Sequence, residues 1–309
     1  FSVTSNATKK KLWLVGTETS EKITLQEEQP LVEITREPQT ITTKLKGKLN
    51  NFDLALRKYI TEVNGVTVVD TRIPNISEST LQSGTTATYK HRKNPVEIKE
   101  NDTVTYKITI YNEGTHAGYA SQIIDQLPTG LINSTENSAT VVSKDKNGND
   151  KNTYTLTYNT VSNIMTFNIQ EDTAKELEAY DSTKGLDYET IEFKCKVIQK
   201  ADSKQEKILT NVAWISGAFD TDERKVAIDR DSEPETKPSV NKDNMENYKG
   251  NTQNKEDLSD NEYYYKGEQD DDDFEKLVQK PVIKKFDLAL FKHIAAISKD
   301  QNIEDGEYI

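Results

Sequence analysis

Three residues of this chain carry chemistry only if strands bring them together: Lys58, Asp125 and Asn211. Each stands where an apolar side chain is expected, because alternate residues of a β-strand point to opposite faces. In the run FDLALRKYI at residues 52–60, Phe52, Leu54, Leu56, Lys58 and Ile60 share one face, four apolar residues and one amine. In Ile123-Ile124-Asp125-Gln126-Leu127, Asp125 has the parity of Ile123 and Leu127. In Leu209-Thr210-Asn211-Val212-Ala213-Trp214-Ile215, Asn211 shares a face with Leu209, Ala213 and Ile215. An amine, a carboxyl and a carboxamide are thus aimed at one core from a first, a middle and a last strand. A buried ammonium is expensive unless it is paired, neutralised or consumed.

The reaction that needs this trio is formation of a Lys58–Asn211 isopeptide bond. Burial disfavours an ammonium, so a neutral amine becomes available as nucleophile. The same apolar pocket favours a protonated Asp125, which polarises the carboxamide and shuttles protons. Proximity in the folded state replaces an activating enzyme. The plainer reading is that Lys58 snorkels from a strand edge or forms a buried salt bridge with Asp125; three matched anomalies favour the bond. Asp53, on the opposite parity, is expected to face solvent.

The elements that must position these groups read as β. Over residues 48–228, Val104, Tyr106, Ile108 and Ile110 alternate with Thr and Lys before a turn at Asn112-Glu113-Gly114. Asn147-Gly148 marks a hairpin between residues 139–143 and 154–158. Residues 165–169, 191–198 and 208–215 supply later strands, and one short helix is expected at residues 173–180, capped by Asp172. Many short strands and almost no helix mean a sandwich. Residues 1–47 hold strand-like stretches at 12–15 and 31–35, the end of an upstream domain or lead-in strands.

Composition bounds the rest. Hydrophobic residues are 33% of the 309, charged residues 30%, and the net charge is −12. A hydrophobic share below the ordinary globular one of about 45–50% implies that part of the chain joins no core. That part is expected at residues 229–279, where 16 acids face 7 bases and supply −9 of the charge, an acidic extended linker with a strand at the Tyr263-Tyr264-Tyr265 run. The acidic balance argues against nucleic acid. Acidic runs that include Asp229 and Asp231 offer oxygens suited to Ca²⁺, but lack the glycine-centred spacing of a calcium loop, so a solvated linker is the better reading and no cofactor is expected. The single cysteine, Cys195, excludes a disulfide framework and reads as a small buried hydrophobe. No apolar run approaches the ~20 residues of a membrane span, and no membrane contact is expected from this segment.

The first motif recurs 234 residues on as FDLALFKHI, with Lys292 in the place of Lys58. This repeat marks residues 280–309 as the start of a next module in a tandem array, with the asparagine partner of Lys292 expected beyond Ile309. The stretches FDLALRKYI, TATYKHRKNPVEIKENDTVTYKITIYNEGTHAGYASQIIDQLPTGL and LTNVAWISG, with the joint DDDDFEKLVQK before KKFDLALFKHI, resemble Gram-positive surface proteins built from isopeptide-forming fimbrial domains of the CnaA-like or D2 type. The resemblance spans roughly residues 48–309. It implies an Ig-like β-sandwich in which Lys58 and Asn211 are joined with Asp125 as proton shuttle. It also implies an extracellular location, on a bacterial cell surface or in the cell wall. Leu127-Pro128-Thr129-Gly130 resembles a sortase signal but lacks the residue between Pro and Thr, and reads as a turn.

The expected function is a structural stalk module of a surface adhesin or fimbrial protein, self-cross-linked and not an enzyme on external substrates. Its partners would be neighbouring modules of the same polypeptide and an unidentified host or cell-surface ligand. The alternative is a ligand-binding adhesive domain whose cross-link supports a binding face. That would require an exposed apolar or aromatic patch in the loops at residues 65–86 or 181–187.

Overall fold

The computed structural model describes residues 52–68, 72–81, 87–134, 136–202, 204–220, 238–248, 271–282 and 287–295, and the backbone of a few further strands. The chain divides into two units, Phe1–Lys48 and Leu49–Ile309. In the first, β1 (Ser2–Ala7), β2 (Lys10–Val15), β3 (Lys22–Gln26) and β4 (Leu31–Thr35) form an antiparallel meander.

The second unit is an all-β sandwich made by one sheet curling round its own core. Its strands are β5 (Leu54–Val63), β6 (Val66–Thr67), β7 (Asn75–Ser77), β8 (Thr88–His91), β9 (Val96–Ile98), β10 (Thr103–Asn112), β11 (Gly118–Gln126), β12 (Leu131–Asn133), β13 (Ser138–Asp145), β14 (Asp150–Asn159), β15 (Ile164–Ile169), β16 (Asp187–Val197), β17 (Lys207–Asp220), β18 (Lys225–Val226), β19 (Tyr263–Tyr265) and β20 (Asp272–Gln279). The main path runs β6-β5-β10-β16-β13-β14-β15-β11-β17-β20-β9, so β5 near one end and β20 near the other curl towards each other. A smaller sheet, β19-β8-β7, stands beside it.

Alternation builds the core as expected. Leu54, Leu56 and Ile60 of β5, Val104, Tyr106, Ile108 and Ile110 of β10, and Ile191, Phe193, Cys195 and Val197 of β16 meet Ile123 of β11 and Leu209, Ala213 and Ile215 of β17. At the β13–β14 hairpin Gly148 takes φ +83, the left-handed conformation that the Asn-Gly turn demands. The Leu127-Pro128-Thr129-Gly130 stretch is a turn between β11 and β12. Asn163 pins it by donating from Nδ2 to the carbonyls of Leu127, Pro128 and Leu131 at 3.1, 3.0 and 3.0 Å.

Four expectations differ from the structure. The helix at residues 173–180 is absent: Glu171–Thr173 makes a single 3-10 turn whose cap position belongs to Gln170, not Asp172. A two-turn helix is marginal alone, and Leu177 instead exchanges backbone hydrogen bonds with Gly118 and is fully buried. Asp53 does not face solvent; it is buried, because β7 and β8 cover the outer face of β5 with Ala87 and Tyr89 packed on Ala55 and Tyr111. Within the acidic stretch, residues 272–279 form β20, paired antiparallel with β17 and parallel with β9. Residues 238–248 also pack, placing Val240 and Met245 on Val212, Trp214 and Phe274. A few spaced apolar residues suffice for this, and average composition hides them. Finally, the second motif copy is no strand in residues 287–295; Leu288, Leu290, Phe291 and Ile294 are exposed there, as is Lys292. A strand needs ladder partners, and none of the described strands pairs with this segment. Asp229 and Asp231 lie outside the described residues.

Candidate functional site: a buried lysine, aspartate and asparagine

Lys58, Asp125 and Asn211 are all fully buried, on β5, β11 and β17. The register explains the encounter. Asp125 of β11 stands opposite Ala213 of β17, which places Asn211 one step along the same inward face. Lys58 of β5 crosses the interior, and its Nζ hydrogen-bonds Asp125 Oδ2. The amine lies 4.9 Å from the ring centre of Tyr106 and 5.1 Å from that of Phe193, so its walls are aromatic.

The electrostatics follow from burial. Desolvation pushes the Asp125 carboxyl up from the ordinary carboxylate range; the Lys58 charge, its hydrogen bond and the nearby Asn211 carboxamide pull it partly back. Desolvation also holds the Tyr106 hydroxyl well above a normal phenol, with a small opposing pull from Asn211. Yet neither Asn211 carboxamide atom, nor Asp125 Oδ1, nor the Tyr106 hydroxyl has an aligned hydrogen-bond partner. Asn211 is near enough to act on both neighbours without meeting hydrogen-bond geometry. Orphaned polar atoms in a core cost about 1–3 kcal/mol each, and four of them converge at this one place. The Lys58–Asp125 pair has one proton to place. On the amine it makes a salt bridge; on the carboxyl it leaves a nucleophilic amine beside an unpaired amide.

Cys195 is a buried free thiol; burial raises its pKa far above the ordinary value, Asp125 adding to the effect. Lys292 is far from any such arrangement in sequence and is exposed. Among the described residues no group of His, Cys, Asp and Glu is placed to hold a metal ion, and no helix is long and apolar enough to cross a membrane.

A second polar group, not among the residues the sequence singles out, stands beside the trio. Asp273 and Glu275 of β20 are fully buried and lie across from Ala213 and Asn211. Lys93 Nζ donates to Asp273 Oδ2 at 2.7 Å and lies 3.6 Å from Glu275 Oε1. Arg72 donates to Glu275 Oε2 through Nη2 and, at 3.2 Å, through Nε. His91 is buried 3.5 Å from Asp273, and desolvation with the neighbouring Lys93, Arg57 and Arg72 charges keeps it neutral. By charge alone the acidic run reads as solvated. Its signal was the parity of Asp273, Glu275 and Leu277 on one face of a possible strand.

No family model matches the chain, and no curated protein matches it. Among solved structures it is similar to BcpA, the major pilin subunit of Bacillus cereus, at 13% identity and a TM-score of 0.32, over 65% of this chain and 50% of that one. It is also similar to the collagen-binding domain of a Staphylococcus aureus adhesin, at 13% identity, a TM-score of 0.26 and coverage of 46% and 91%. A third likeness is to the S. aureus collagen adhesin CNA, at 10% identity, a TM-score of 0.25 and coverage of 72% and 85%. The chain spans half the length of the pilin.

Proposed function

We propose that this chain holds a structural module of a bacterial surface adhesin or fimbrial protein, made permanent by a self-formed isopeptide bond between Lys58 and Asn211. The observation that carries the proposal is the meeting of an amine, a raised-pKa carboxyl and an unpaired carboxamide in one apolar, fully buried site. Asp125 takes the proton from Lys58, and the free amine attacks Cγ of Asn211. The Nζ–Cγ bond forms, Asp125 delivers the first proton to Nδ2, and the Cγ–Nδ2 bond breaks to release neutral ammonia. Asp125 takes up the second Nζ proton to end as a neutral acid beside the new amide. A buried ammonium and carboxylate are thereby replaced by a neutral amide and a neutral acid.

The bond would close a loop of about 150 residues, which by analogy with a disulfide restricts the unfolded chain by about 5 kcal/mol. An amide, unlike a disulfide, is indifferent to redox conditions. Exposed large apolar residues of the described module, Val66, Ile73, Val142, Val161, Ile198 and Val282, come from separate strands and loops. This scatter supports a structural module over a ligand-binding face.

Intact mass of the purified, folded protein tests the reading. The expected value is the sequence mass less one ammonia, and Asp125→Ala restores the full mass. A wild-type protein of full sequence mass would sink the cross-link.

A further inference from the structure

The reactive lysine lies on a seam of the curled sheet. Lys58 stands opposite Ile108 in the β5–β10 ladder, yet its backbone N–H and C=O point away from β10. They face the open edge of β5, where β6 pairs only at Glu62 and Val63. A backbone edge buried without partners is costly. Here two side chains supply what a strand would. Lys58 N–H donates to Asp273 Oδ2 at 2.7 Å, and Lys93 Nζ donates to Lys58 O at 2.8 Å. Lys93 also donates to Asp273 Oδ2 at 2.7 Å and to Phe274 O at 2.7 Å, which closes the group into one unit. All three residues are buried.

From this geometry we infer that Asp273 and Lys93 are positioning residues for the Lys58–Asn211 bond, and that the bond forms only once β20 has docked. The inference rests on the cross-link reading and deepens it. Asp273 lies on β20, 62 residues after Asn211 and outside the loop the bond would close. β20 holds Asn211 as well, through the Asn211–Glu275 pair in the β17–β20 ladder. One strand therefore grips the backbone of the nucleophile and the strand of the electrophile. Without β20, Lys58 sits on a free edge that can shift by more than the few tenths of an ångström that an attack geometry tolerates. Docking of the last strand becomes the signal that the module is complete before it is made irreversible.

The test uses the full chain, recovered from cells in denaturant without having folded, then refolded by dilution and followed by intact mass over time. Burial of Trp214 on β17, read by fluorescence, reports folding. Wild type is expected to fold and then lose one ammonia. Asp273→Ala is expected to fold and lose ammonia at least tenfold more slowly. Asp273→Asn also leaves Lys93 without its carboxylate, so it forfeits similar stability, but it retains an oxygen to accept from Lys58 N–H; it is expected to recover most of the rate. Lys93→Met, which removes the donor to Lys58 O and keeps Asp273, is expected to slow the loss too, and carries the test if Asp273→Ala fails to fold. Wild-type rates in folded Asp273→Ala or Lys93→Met overturn the positioning role, as does equal slowing by Asn and Ala. Wild-type protein that folds without losing ammonia overturns the cross-link itself, and is told apart by that control.

Discussion

Lys58 and Asp125 form a hydrogen-bonded pair in a fully buried site, and that fixes what mutation of either should do. Removing one partner of a buried pair strands the other, at a typical cost of about 3–5 kcal/mol. Asp125→Ala should therefore leave an unreacted Lys58 stranded in the core as well as lack the cross-link, and chemical denaturation should show a deficit larger than the loop closure alone explains. Replacing both, as Lys58→Met with Asp125→Leu, removes the stranded charge. The double variant should be more stable than Asp125→Ala while remaining at full sequence mass. A double variant no more stable than the single one would mean that the pair is not the source of the penalty. Gly130 offers a second test at this scale. It adopts φ +107, and a Cβ there would meet Gln199 at 2.9 Å. Gly130→Ala should destabilise by about 1–3 kcal/mol in a thermal or urea melt.

At the scale of elements, β20 turns an acidic run into part of the core. Its outer face carries Asp272, which accepts from the Tyr248 hydroxyl at 2.5 Å. Desolvation pushes the Asp272 carboxyl from 3.8 up to about 7, with Tyr248 and Arg57 opposing and Asp273 adding to the rise. A folded pKa above the unfolded one means the docked strand holds a proton that the released strand has already given up. Docking of β20 is thus strongest below the unfolded value and weakens as pH rises through the window up to about 7, by at most about 4 kcal/mol in total. Hydrogen exchange at the Asp273, Glu275 and Leu277 amides, which by the ladder's alternation face β17, should show protection falling across that window. Asp272→Asn should flatten the dependence; an unchanged slope in that variant would assign the titration elsewhere.

Over the whole molecule the proposed bond divides the chain by mechanical role. Residues between Lys58 and Asn211 lie inside the covalent loop. The rest of β17, the acidic stretch and β20 lie outside it. A pull applied at the two ends of the module would pass through the Lys58–Asn211 amide and bypass β10 to β16, while β20 peels from β17. Single-molecule stretching of wild type should release only the length outside the loop. Asp125→Ala, lacking the bond, should release the whole module. Full extension of wild type would contradict the cross-link at these positions.

Much of this was legible in the residues. Strict alternation of period two exposes Lys58, Asp125 and Asn211 as polar intruders on apolar faces, because a strand's pleat assigns each side chain to a face regardless of what lies opposite. Turn chemistry likewise gave the Asn147-Gly148 hairpin and the Leu127-Pro128-Thr129-Gly130 turn. What tertiary structure decided was pairing across distance. Nothing local says that Asp273 reaches the backbone of Lys58, 215 residues away, or that Asp53 lies beneath a second sheet. The acids of β20 look solvated because composition counts charge and not partners. Asp273 and Glu275 are buried because Lys93 and Arg72, brought there by the fold, neutralise them, and Asp272 is buried as a raised-pKa acid against the Tyr248 hydroxyl. Sequence alone determined which groups could react; the closure of the sheet between β5 and β20 decided what holds them in place.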